Sequence, residues 1–156
     1  MATMSKTAEQ ARPTYFPRLV TERLDIALCR ASAAVARAAD THAAREGLGV
    51  GQHLVLQMLD AVGPCSQQTL SEELRIDRSV MVSVCDDLER AGLVRRERNP
   101  RDRRSYAVTI TDSGRRRLAE ARTSIPGFLD DTFGTLTPEE RDQLGALLGK
   151  LLGVAS

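Results

Sequence analysis

The stretch Ser66-Gln-Gln-Thr-Leu-Ser-Glu-Glu-Leu-Arg-Ile-Asp77-Arg-Ser-Val-Met-Val-Ser-Val-Cys-Asp-Asp-Leu-Glu-Arg-Ala-Gly92-Leu-Val-Arg-Arg-Glu-Arg98-Asn-Pro-Arg-Asp-Arg-Arg104-Ser-Tyr-Ala-Val-Thr-Ile-Thr111 decides how the chain is read. Leu70 and Leu74 share one face of a short helix, with Ser66 placed as its N-cap. Asp77 stands where a second helix needs a cap, and Gly92 where its C-terminus needs a left-handed residue. Within that second helix, Val80, Val84 and Leu88 fall at i, i+4 and i+8 and are expected to face inward. Arg78, Ser79, Met81, Val82, Ser83 and Asp86 are left for the outer side. About fifteen residues at the standard rise make roughly 22 Å of helix, enough to lie along a DNA major groove.

Beyond Gly92 the periodicity changes to two. Leu93-Val94 opens one strand, and Tyr106, Val108 and Ile110 alternate with Ala107 and Thr109 in the next. Asn99-Pro100-Arg101-Asp102 is turn chemistry, because proline fixes φ while Asn and Asp bond their own backbone. Nine arginines lie between Arg95 and Arg117 against Glu97, Asp102 and Asp112, whereas the whole chain is only +1. A basic hairpin on an otherwise slightly acidic protein is the footprint of a nucleic-acid surface.

These residues resemble the MarR family of winged helix-turn-helix transcription regulators. The likeness is carried by the helix-turn-helix register, Asp77-Arg78-Ser79, Leu88-Glu89-Arg90-Ala91-Gly92-Leu93-Val94-Arg95-Arg96, and Asp102-Arg103-Arg104 running to Val108-Thr109-Ile110-Thr111. It covers about residues 20 to 153. The chain departs from the pattern at Arg75, where a small residue is usual, and at Val82-Ser83, where a hydroxyl followed by arginine is common.

The resemblance implies a mainly α (α+β) fold: a winged helix-turn-helix with N- and C-terminal dimerisation helices. Residues 1–17 would be a tail and 18–155 the domain, with 48–115 as the DNA-binding lobe and 18–46 and 116–155 as dimerisation helices. The implied wing motif falls on Asp102 and Arg104, the carboxylate holding the wing and the guanidinium entering a minor groove. Narrow minor grooves concentrate negative potential and favour arginine. Arg101 and Arg103 would add phosphate contacts, and Gln67 and Gln68 would meet phosphate at the start of the first motif helix.

Outside that stretch, Arg18 to Arg45 reads as one long helix with a stripe of Leu24, Leu28, Ala31, Val35 and Ala38. Val50 to Ala61 is a short apolar helix stopped by Gly63-Pro64. Thr111 can cap the following helix, which Pro126-Gly127 is expected to interrupt. Thr137-Pro138-Glu139-Glu140 is a strong helix start, followed by Leu144, Leu147, Leu148, Leu151 and Leu152. The terminal helices hold more apolar surface than one DNA-binding unit needs, which points to a two-fold homodimer with Leu144, Leu148 and Leu151 at its interface.

A dimer presents two reading helices to half-sites of a pseudo-palindromic duplex operator about 34 Å apart. Members of the family commonly bind small aromatic acids or phenols, and Arg30, Arg37, His42 and His53 are the candidates here for an effector. No cofactor or metal set is expected: the two histidines are His42 and His53, and the three cysteines lack CxxC spacing. No hydrolase, phosphate-loop or dinucleotide fingerprint occurs, so the chain does not read as an enzyme. Cys29 is the one residue suggesting an alternative, a thiol-based oxidant sensor or, in another class, a thiol enzyme. Without an apolar leader or a span of about 18 apolar residues, the expected location is cytoplasmic with reduced thiols.

Overall fold

The structure, a computed structural model, describes residues 15–99 and 102–154, the side chains of residues 102–104 excepted. Its elements in order are α1 (Tyr15–Glu22), α2 (Leu24–Glu46), α3 (Val50–Val62), β1 (Cys65–Ser66), α4 (Gln67–Leu74), α5 (Arg78–Arg90), β2 (Val94–Asn99), β3 (Asp102–Ile110), α6 (Asp112–Phe133) and α7 (Pro138–Leu151). The fold is mainly helical with one small antiparallel sheet in the order β1-β3-β2. Described residues up to Arg37 form one compact unit and those from Ala38 onward another.

In the second unit, α3, α4, α5, the sheet and the first half of α6 enclose a single core. Val55, Leu56 and Leu59 of α3, Leu70 of α4 and Met81, Cys85 and Leu88 of α5 meet Val94, Val108, Ile110, Leu118 and Ala121 there. Three helix starts follow the expected chemistry. Ser66 accepts from the Thr69 N–H, Thr111 from the Gly114 N–H, and Thr137 from the Glu140 N–H in a reciprocal capping box. Gly92 takes φ +71°, a left-handed conformation natural to glycine. Arg75 takes φ 53°, and it caps α4 through its backbone N–H. The turn from α4 to α5 is tied by buried Ser71, whose hydroxyl donates to the Ile76 carbonyl at 2.5 Å.

Several sequence expectations are corrected. The inward face of α5 is Met81, Cys85 and Leu88, with Met81 only 1% exposed and Val80 50% exposed. The true stripe therefore runs i, i+4, i+7 from Met81, a spacing as helical as the i, i+4, i+8 row from Val80. Asp77 precedes α5 without a side-chain capping bond. The long N-terminal helix is two, broken at Arg23, whose guanidinium turns back to the Asp25 carboxylate at 2.7 and 3.0 Å. Pro126 lies inside a continuous α6 rather than ending it. It sits on the exposed side, where the carbonyl freed by its missing N–H can be solvated. The two-residue strand β1 was not anticipated; so short a segment carries no readable alternation.

Candidate nucleic-acid interface

Helix α5 presents Arg78, Ser79, Val82 and Ser83 to solvent, with Val82 46% exposed. These are the expected reading residues less Met81, which belongs to the core. The side chain of Arg78 lies 3.9 Å from the Glu72 carboxylate, a loose exposed contact that holds it only weakly in water. Asp86, also assigned outward, is half-buried and turned towards the sheet.

The hairpin after α5 pairs Val94 with Ile110, Arg96 with Val108 and Arg98 with Tyr106, then shifts register between Arg98 and Asn99. Register shifts of this kind re-aim the end of a hairpin. Pro100 and Arg101 lie outside the described residues, as do the side chains of Asp102, Arg103 and Arg104. The base of the hairpin is held by Thr111. Its hydroxyl donates to the Gly92 carbonyl at 2.7 Å and accepts from the Gly114 N–H at 3.0 Å, and its own N–H donates to Leu93 at 3.0 Å. One residue thus joins the end of α5, the end of the wing and the start of α6.

The basic stretch is less uniform than its composition suggests. Arg95 pairs with Glu97 at 2.5 Å, and Arg115 reaches Asp112 at 3.5 Å and Asp60 at 3.8 Å. Arg117 donates to the Glu46 carbonyl at the C-terminus of α2, a position that suits a cation. Arg96 is enclosed: it donates to Gln67 Oε1 at 2.9 Å, to Asp86 at 2.5 Å and to Glu89. Burial works against its charge, but the hydrogen bonds it donates to Asp86 and Glu89, with their negative charges, outweigh it and raise its pKa. Sequence reading placed Arg96 in the family motif and gave it no role, because its partners lie seven to twenty-nine residues away. Gln67 and Gln68, expected at phosphate, have internal partners as well: Gln67 accepts from Arg96, and Gln68 donates to Glu72 at 2.9 Å.

A separate pocket of about 120 Å³ lies within the second unit, lined among others by Ala39, His42, His53, Leu54, Ile125 and Phe128. His42 stacks on Phe128 with centroids 4.8 Å apart, and its Nε2 shares a 3.1 Å hydrogen bond with the Ser124 hydroxyl. Burial lowers the pKa of His53, assisted by the nearby Arg122 charge and opposed by a hydrogen bond with Gln57. Two of the four expected effector residues therefore share one apolar pocket. Arg30 and Arg37 are exposed on the part of α2 that belongs to the other unit.

Cys29 is exposed, and Cys85 is buried so that its thiol is pushed up to about 11. No group of metal-ligating side chains occurs among the described residues, and none of their helices is long and apolar enough to cross a membrane.

Comparisons with known proteins agree on one family. A sequence profile described as the MarR family matches residues 46–105. A putative transcriptional regulatory protein for the hcr operon of Thauera aromatica is 33% identical over 119 residues, covering 76% of this chain and 72% of the relative. The transcriptional repressor CouR, solved bound to a 23-mer DNA duplex, is 33% identical with a TM-score of 0.78, covering 86% of this chain and 95% of that one. Bordetella bronchiseptica BpsR, solved in connection with regulation of its DNA binding by 6-hydroxynicotinic acid, is 28% identical with a TM-score of 0.77, covering 84% and 94%.

Proposed function

This chain belongs to the MarR family of DNA-binding transcription regulators and is not an enzyme, and from that premise we propose that it works as a homodimeric, sequence-specific repressor released by a small aromatic or phenolic ligand. The observation that carries the reading is the outward face of α5. Four side chains able to meet base edges or phosphate (Arg78, Ser79, Val82 and Ser83) stand exposed on a helix whose other side is locked into the core. An arginine can grip guanine or phosphate, a serine either, and a valine the thymine methyl group. Arg104 enters an adjacent minor groove, Asp102 holds the wing, and Arg101, Arg103, Gln67 and Gln68 fix the protein on the backbone.

Duplication through the chain ends supplies the second half-site. Leu147, Leu151 and Leu152 are each more than half exposed, and α7 buries no residue in its own chain, which supports an interface there with Leu144, Leu148 and Leu151. Repression is supported by the description of CouR as a repressor, and an aromatic effector by the ligand in the description of BpsR. The His42–His53 pocket offers an apolar slot with two polar groups, the usual composition of a small-molecule site. A ligand held there releases DNA only by the difference in its affinity for the two spacings of the reading helices.

Titration of duplex DNA from around the chain's own gene tests this reading. Saturable binding that weakens steeply between about 0.05 and 0.2 M salt is expected. Arg104→Ala is expected to cost about 1–3 kcal/mol and to lower the salt slope by about one. Salt-insensitive binding, or an Arg104→Ala protein with unchanged affinity, would contradict it.

A further inference from the structure

Arg96 is set apart from the arginines around it. Its side chain is 22% exposed, against 60% for its neighbour Arg95. All three of its guanidinium nitrogens are used inside the protein, Nε on Gln67, Nη2 on Asp86 and Nη1 on Glu89, while its backbone N–H also donates to Glu89 at 3.0 Å. Three elements meet on this one side chain: the first residue of α4, two positions one turn apart on α5, and strand β2. A planar fork fixes relative orientation in a way that a point charge does not. The charge of Arg96 is also spent, since two carboxylates surround it, so it has little to offer a phosphate.

The bond to Gln67 carries a further consequence. A guanidinium has only donors, so the amide atom facing it must be the oxygen. The Gln67 nitrogen, with its two protons, then lies at the opposite edge of the amide, away from the guanidinium. We propose that Arg96 is a positioning residue for duplex binding: it sets the reading helix α5 against wing strand β2, and it turns Gln67 so that the amide nitrogen is offered to a backbone phosphate. The proposal rests on the DNA reading above and assigns Arg96 itself no contact with DNA.

Gln67→Ala, Gln67→Glu, Arg96→Lys and the Gln67→Ala/Arg96→Lys double variant separate this role from a merely structural one. The readouts are thermal unfolding and anisotropy titration of a labelled duplex of about 30 base pairs from upstream of the chain's own gene, at two salt concentrations. Gln67→Ala is expected to bind about tenfold more weakly, with only a small drop in unfolding midpoint from the lost Arg96 acceptor and an unchanged salt slope, because a neutral donor releases no counterion. Gln67→Glu keeps an acceptor for Arg96 but has no donor, and should bind more weakly still. Arg96→Lys retains the charge without the fork and should lose at least as much affinity as Gln67→Ala. The double variant should be no weaker than Arg96→Lys alone, since both changes remove the same contact.

A purely structural arginine would lower the midpoint and leave the affinity of the folded protein intact, and that result overturns the proposal. So do losses that simply multiply in the double variant. If Arg96→Lys does not fold, full affinity in Gln67→Ala is sufficient to overturn it. No binding by the unaltered chain removes the DNA reading and this inference together, whereas equal binding by all the proteins removes the inference alone.

Discussion

The winged lobe and helix α7 belong to one compact unit and use their apolar residues in opposite ways. In the lobe, the side chains of Val55, Leu56, Leu70, Met81, Leu88 and Val108 are sealed from water. Along α7, by contrast, nothing is buried, and Leu147 and Leu151 are 62% and 67% exposed. Burial of a leucine contributes about 1.5–3 kcal/mol, so the lobe holds its own folding free energy, while α7 touches α6 through Arg141 and leaves Leu147 and Leu151 turned to water. The lobe is a finished object; in the proposed dimer the C-terminal helix is half of one. The proposed dimer relies on that division, one part rigid enough to recognise DNA and another that joins copies.

The largest effect is expected where the lobe is tightest. A Cβ at Gly114 would overlap the Leu93 carbonyl and come within 2.8 Å of Ile110 Cγ1. Because backbone and core both resist it there, Gly114→Ala should cost more than about 3 kcal/mol in chemical denaturation. An unchanged midpoint would show the lobe to be looser than described. Next comes the contrast between neighbours on α5. Met81→Ala should cost about 2–4 kcal/mol by leaving a cavity, whereas Val80→Ala, an exposed position, should stay within about 0.5 kcal/mol. The reverse ranking would restore the Val80, Val84, Leu88 stripe as the inner face.

Leu148→Arg is the corresponding change in the other region. It should leave the denaturation midpoint of the lobe almost unaltered and convert a dimer into monomers by sedimentation, and an intact dimer would move the interface away from α7. The smallest expected effect concerns pH. Burial depresses the pKa of His53, so the unfolded chain binds a proton more readily than the folded one. Stability from this group is therefore complete above about pH 6.5 and is lost as the pH falls from there through the folded value. Gln57, Arg122 and His42 are the groups acting on it. His53→Gln should flatten the acid limb of a melting-temperature profile, and an identical acid limb would assign that loss elsewhere.

Much of this architecture was legible because local chemistry states it. Ser66, Thr111 and Thr137 cap their helices as hydroxyls at helix starts should, and Gly92 occupies the left-handed position after α5. The face of α5 was not legible from pattern alone. Val80, Met81, Val82, Val84 and Cys85 are apolar in near succession, so two stripes one residue apart fit a helical period equally well. Which of them turns inward is settled by packing against Leu56, Leu70 and Val108. The break at Arg23 has no proline or glycine to announce it, while Pro126 announces a break that does not occur.

The candidate site divides along the same line. Arg78, Ser79, Val82 and Ser83 stand outward as helical spacing suggested, whereas Met81, named with them, is core. The residues holding them in place could not be named, because Arg96, Gln67, Asp86 and Glu89 converge only through the tertiary fold. Likewise His42 and His53 were separate candidates until α2, α3 and α6 brought them to one pocket with Phe128.

Hydroxyl-radical footprinting of the full chain on duplex DNA from upstream of its gene tests the central claim most directly. Two paired reading surfaces predict two protected patches on one face of the duplex, separated by about one helical turn of 10–10.5 base pairs, with minor-groove protection beside each. A single unpaired patch, or protection without helical phase, would contradict a dimer that reads DNA through α5 and its wing.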